Sequence, residues 1–139
     1  MSAASNYLEN KVLDHVLRNS AYTQPSGLWV GLFNNTSTLA AANLEAGTLT
    51  DEVTTSGSAY SRKAITFGAA SSGTATSNST VTFDAATASW GTVTHVAVMD
   101  NATVGAGNVL FWGQLTVSKS VATGDTFQIS SGNMTVTLA

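Results

Sequence analysis

Cysteine is absent from this 139-residue chain, proline occurs once, and charged residues make up only 9% of it. The absence of cysteine excludes disulfides and thiolate metal sites. The single proline, Pro25, falls in a connection rather than inside an apolar run. Positive charge is especially scarce: Lys11, Arg18, Arg62, Lys63 and Lys119 are the whole supply, and only Arg62 and Lys63 are adjacent. With no basic stripe to follow a phosphate backbone, nucleic acid is excluded as a partner. No apolar run approaches membrane-spanning length, and the opening MSAASNYLENK lacks the apolar core of a signal peptide. The chain is therefore expected to fold in a cytoplasm, with no membrane partner.

What is present points to a folded β protein. Hydrophobic residues make up 43% of the chain, too many for compositional disorder. Ser and Thr supply most of the polarity; Thr suits strands and Ser suits turns. Charge at 9% against a usual roughly 25% leaves a hydroxyl-rich surface that repels neighbours weakly. With a net charge of −3, such a surface suits packing into an assembly, as a homo-oligomer or in many copies. The length fits one domain over residues 1–139, with a helical segment at 1–20 and a β-sandwich over 27–139.

The organising stretch is Trp90 to Leu115. Val93, His95, Ala97 and Met99 alternate with Thr94, Val96 and Val98, as in a half-buried strand. Turn formers from Asp100 to Asn108 follow, then Val109 to Leu115, which is apolar on both faces. This pair is expected at the middle of a sheet. Upstream, Ser5 is placed to cap a helix over Asn6 to Arg18, with Leu8, Val12 and Val16 on an apolar stripe and Leu13 and Leu17 beside it. Asp14 and Arg18 are spaced for a surface pair. A helix this short must dock on something, its own sheet or a neighbouring subunit.

Leu28 to Phe33 reads as a central strand in which Gly31 permits a close approach. A long polar connection, Asn34 to Ser58, carries Glu45, Asp51 and Glu52 and a possible short helix at Leu39 to Leu44. Strands are predicted at Tyr60 to Phe67 and Thr80 to Phe83, with a flexible connection at Ala69 to Asn78 between them. Thr116 to Ala122 and Thr126 to Ser130 read as a hairpin around Thr123-Gly124-Asp125, and Met134 to Leu138 as a closing strand. Seven or eight short strands predict a single-domain antiparallel β-sandwich, or a partly closed barrel, with one N-terminal helix.

Chemistry is not written in these motifs. There is no Gly-x-Ser-x-Gly elbow. His95 lies in the most apolar strand and reads as structural, and His15 as solvated. Glu45, Asp51 and Glu52 lack the spacing of a calcium loop and read as a solvated acidic loop, so no metal and no cofactor is assigned. Of the tryptophans, Trp29 and Trp112 read as core, and Trp90, beside Gly91, as the one exposed for a partner or a sugar. Trp90, Glu45, Asp51, Glu52, Leu8, Val12 and Val16 are the candidate partner contacts; no residue is assigned a catalytic role.

Several segments resemble a family of small structural proteins of tailed bacteriophages, often labelled tail fibre or tail-associated. SNYLENKVLDHVLRNSAYTQP resembles the family's opening helix, LWVGLF its first strand and GSAYSRKAITFGAA its second; SNST to the C-terminus, with Trp-Gly-x-Val-Thr-His and Phe-Trp-Gly, resembles its second half. The chain departs from the family at its Ala-rich Asn34 to Ser58 region. The resemblance implies a non-enzymatic virion component, most simply of the tail or tail fibre, whose partners are other virion proteins. A capsid decoration protein is the alternative, and a module binding host surface polysaccharide a third.

Overall fold

In chain order, the computed structural model, which describes residues 3–138, contains β1 (Ala3–Ala4), α1 (Asn6–Leu17), β2 (Trp29–Phe33), α2 (Ala40–Ala46), β3 (Lys63–Ala64) and β4 (Thr74–Thr76). It continues with β5 (Val81–Thr82), β6 (Gly91–Met99), β7 (Val109–Val121), β8 (Gln128–Ile129) and β9 (Thr135–Thr137). The longest ladder is the one expected at the centre, β6 against β7. The strand following Asn108 runs unbroken for 13 residues, so the separate strand predicted from Thr116 is its outer half.

A five-stranded antiparallel sheet in the order β1-β7-β6-β2-β3 forms one layer. Its register sorts the side chains. Val30 lies opposite Val98 and Leu32 opposite Val96, whereas Gly31 lies opposite Ala97 and Phe33 opposite His95. The first set faces the main core, with Tyr60, Ile65, Phe83, Trp90, Phe127 and Ile129. The second set faces α2, where Phe33, Leu44, Ala97, Met99 and Val109 pack together. A third cluster joins Leu8 of α1 to Ala4 and Leu110. The second layer consists of two ribbons, β4 with β9 and β5 with β8. The fold is thus mainly antiparallel β. It does not close into a barrel: among the described residues, β1 and β3 remain the free ends of the sheet.

Local chemistry explains the departures from the sequence-based expectations. Val93 packs in the main core rather than with His95, because the ladder is irregular between Val93 and His95 and the alternation resets there. The turn at Thr123-Gly124-Asp125 forms, with the Asp125 N–H donating to Ala122 O at 3.0 Å and the Ala122 N–H to Asp125 Oδ2 at 2.9 Å. No hairpin follows, because Gly124 N–H donates to Ala86 O and Phe83 N–H to Phe127 O, which carries the chain across to β5. The strand predicted over Tyr60 to Phe67 shrinks to Lys63–Ala64, since Tyr60 and Arg62 turn inward to a buried carboxylate. The connection predicted at Ala69 to Asn78 contains β4, whose alternating Thr74-Ala75-Thr76 pairs with β9. The short helix near Leu39 is real and extends to Ala46, ending on Gly47 at φ 79°.

The N-terminal helix begins where the sequence places it. Ser5 Oγ accepts the Leu8 N–H at 3.3 Å and donates to Val109 O, tying the helix start to the sheet. Asp14 and Arg18 form the anticipated surface pair at 3.3 Å. His15 is exposed, yet its Nδ1 accepts the Tyr22 N–H at 3.1 Å and holds the chain leaving the helix.

Candidate functional site

The acidic connection supplies dense polar chemistry, and two of its three carboxylates are buried rather than solvated. Asp51 is 2% exposed and Glu52 is 7% exposed. Each carboxylate has its own task. Glu52 meets Arg62 in a two-pronged ion pair, with Nε on Oε1 and Nη2 on Oε2, both at 2.7 Å. Tyr60 Oη donates to Glu52 Oε1 at 3.0 Å and accepts the Leu32 N–H at 2.9 Å. Arg62 Nη1 donates to the carbonyls of Asn101 and Ala106, each at 2.7 Å, and Gly105 N–H donates to Glu52 Oε2 at 3.1 Å. Burial and the adjacent Glu52 carboxylate push the Tyr60 phenol well above its ordinary range, so it stays protonated as a donor. Gly31 belongs here too: a Cβ at that position would stand 3.1 Å from Glu52 Oε1. The close approach expected of Gly31 is the approach of this carboxylate.

Asp51 organises the start of α2. It accepts from Ser37 N at 2.7 Å, Ser37 Oγ at 2.6 Å, Thr36 Oγ1 at 3.2 Å and Asn43 Nδ2 at 3.3 Å. Burial would raise its pKa, but the Ser37, Asn43 and Thr36 donors outweigh burial and lower it. Glu45 accepts Trp112 Nε1 at 2.8 Å, fastening α2 to β7. These carboxylates are spent singly on protein donors, and no group of three or more potential metal ligands gathers among the described residues.

The tryptophan assignment inverts. Trp90, expected at the surface, is 2% exposed, and Trp29 and Trp112, expected in the core, are half-buried. Trp90 stands edge-on to Tyr60 and Phe83, with centroids 5.4 and 6.2 Å away, and its Nε1 donates to Ser58 O at 2.8 Å. That bond could not be read from position alone, because Ser58 is 32 residues away. Trp90 is therefore not available to stack on a sugar.

His95 is buried, as expected of a structural histidine. Its Nδ1 lies 2.8 Å from Thr94 Oγ1, and its ring 6.3 Å from that of Trp112. Burial lowers its pKa, against an opposing pull from the Asp51 charge. As pH falls below about 6.5, the unfolded chain takes up this proton before the folded protein does. Stability contributed by the neutral ring is thus complete above that pH and is lost as pH drops through the folded pKa. Melting temperature should fall between pH 7 and pH 5, and His95→Gln should flatten that dependence. An unchanged slope in the variant would remove His95 as its source. The lowered Asp51 acts further down: its contribution is present above pH 3.8 and disappears below it.

The candidate contacts on α1 separate along its length. Leu8 is buried and Val12 half-buried, whereas Val16 is 69% exposed. Leu13 and Leu17 beside it are 54% and 74% exposed. The stripe seen in sequence is therefore used for its first half only, and the second half projects as an apolar tip.

A family model described as Podophage GP4 fiber I protein gp80 matches residues 3–137. The chain belongs to that family. No curated protein matches it. Membership makes the chain a phage tail-fibre family protein and a virion component, whose setting is contact with other virion proteins. The buried networks of this fibre-family chain are accordingly read as scaffolding that holds its outer surfaces in place.

Proposed function

We propose that this chain is a non-enzymatic, single-domain component of the tail-fibre apparatus that acts by fitting weakly charged surface against neighbouring virion proteins. The observation that carries this reading is the apolar tip of α1. Three large aliphatic residues stand more than half exposed on a chain with few charges, in a family of fibre proteins. Burying them against a partner recovers roughly 25 cal/mol for each Å² of apolar surface removed from water. The hydroxyl-rich outer half of β7, with Val117 65% exposed among Thr116, Ser118 and Ser120 and with Lys119 as its one charge, adds a second weakly charged surface.

Val16→Asp tests this reading. An exposed substitution should leave stability within about 0.5 kcal/mol of the parent. Its expected effect is on incorporation: particles assembled with the variant should carry less than a tenth of the normal amount of this protein. Quantitative band intensity from purified virions measures it, and a density map of the particle locates the helix. Normal incorporation, or a map with the tip facing solvent, would overturn the reading.

A further inference from the structure

The buried Glu52–Arg62 pair is aimed at a loop that faces water. Among the described residues it is the one ion pair shut away from solvent; the Asp14–Arg18 and Lys63–Asp84 pairs lie at the surface. Beyond the pair itself, its bonds run largely to the connection between β6 and β7. Arg62 Nη1 donates to the carbonyls of Asn101 and Ala106, and Glu52 Oε2 accepts the Gly105 N–H. Yet Asn101, Ala102, Thr103 and Gly105 are exposed. Such a connection is ordinarily among the more mobile parts of a protein. Here its base is closed as well: Asp100 accepts the Asn108 N–H at 2.7 Å and Asn108 Nδ2 at 2.8 Å. Within the loop, Thr103 N–H donates to Asn101 Oδ1 at 2.8 Å. A buried pair adds little net stability over apolar packing of the same volume. What this one supplies is a fixed shape for an exposed loop.

A fixed shape is of use at a contact, because a loop ordered in advance loses little freedom when a partner arrives. The loop also adjoins the helix on which the packing reading rests. Tyr22 donates its N–H to His15 Nδ1 in the last turn of α1 and packs with Leu8 and Val12. Burial, then Tyr7 and the Asp100 carboxylate at the start of the loop, raise the Tyr22 phenol. We propose that residues 101–105 form a preorganised contact loop that, together with the Val16 end of α1, seats a neighbouring virion protein through an uncharged surface. The partner's chemistry follows from what the loop offers. Its exposed residues are small and uncharged, and the nearby Asp100 carboxylate is spent on Asn108. A charged partner group would lose its water there without meeting a counter-charge. The loop carries no aromatic ring on which a sugar could stack. An uncharged protein surface that forms hydrogen bonds fits it better. The inference rests on the packing reading and adds a second contact element to it.

The absence of cysteine makes the loop easy to probe. In the free chain, the thiol introduced by Ala102→Cys should react with a maleimide as an exposed thiol does. In intact particles carrying that variant it should react at least tenfold more slowly. Particles assembled with Ala102→Glu should hold less than a tenth of the normal amount of this protein, while the melting temperature of the purified variant stays with that of the parent, as befits an exposed position. Full reactivity of the thiol in particles overturns the proposal, and so does normal incorporation of Ala102→Glu. If Val16→Asp still blocks incorporation in that case, the packing reading stands and the loop alone falls. If both variants enter particles normally, both readings fall.

Discussion

Arg62→Met is expected to destabilise the protein by about 3–5 kcal/mol, because it strands a buried carboxylate. Arg62 is 5% exposed and Glu52 is 7% exposed, so water does not replace the lost partner. After the change, Glu52 keeps only the Tyr60 hydroxyl and the Gly105 N–H as donors. The carbonyls of Asn101 and Ala106 lose their shared donor as well. Thermal unfolding by circular dichroism should register a fall in Tm of roughly 10–15 °C. Combining Arg62→Met with Glu52→Gln removes both charges, and the double variant should be more stable than the sum of the single losses implies. A cost below about 1 kcal/mol for Arg62→Met would mean that the pair is screened by solvent and does not organise this end of the molecule.

Trp90→Ala should be similarly severe, at about 3–5 kcal/mol, since it empties a large volume inside the main core. Tyr60 and Phe83 pack against that volume, and Phe83 also stands edge-on to Phe127 at 5.8 Å. Trp90→Phe separates the contributions. It keeps most of the ring but leaves Ser58 O without the Nε1 donor, at a cost of about 1–3 kcal/mol. Urea unfolding followed by far-ultraviolet circular dichroism measures both. If Trp90→Ala cost less than about 1 kcal/mol, Trp90 would lie outside the core.

The central ladder and α1 were legible because their signals are local. Ser5 sits three residues before an apolar stripe at helical spacing, and β6 and β7 are apolar runs on either side of a turn-forming stretch. Long-range partners were not legible. The acidic residues of the 34–58 connection look like a solvated loop until Arg62 is seen to meet Glu52 across 10 residues. One signal existed: Arg62 shares its strand face with Tyr60 and Ala64, and a charge on such a face needs a partner if the face is buried. The Trp90 error has the same origin, since proximity to Gly91 describes the backbone and not what the indole meets. The strand over 126–130 was placed correctly but paired wrongly, because turn chemistry sets a reversal and not the layer the chain then joins.

The Glu52–Arg62 bridge also has an evolutionary corollary. Through it, the stretch around residue 52 grips the backbone at residues 101 and 106, where Gly107, at φ 80°, leaves no room for a Cβ beside Asn101. Two segments far apart in the gene thus form one mechanical module. A chimera that imports the 34–58 stretch from a relative should inherit a mismatch unless residues 62 and 101–107 travel with it.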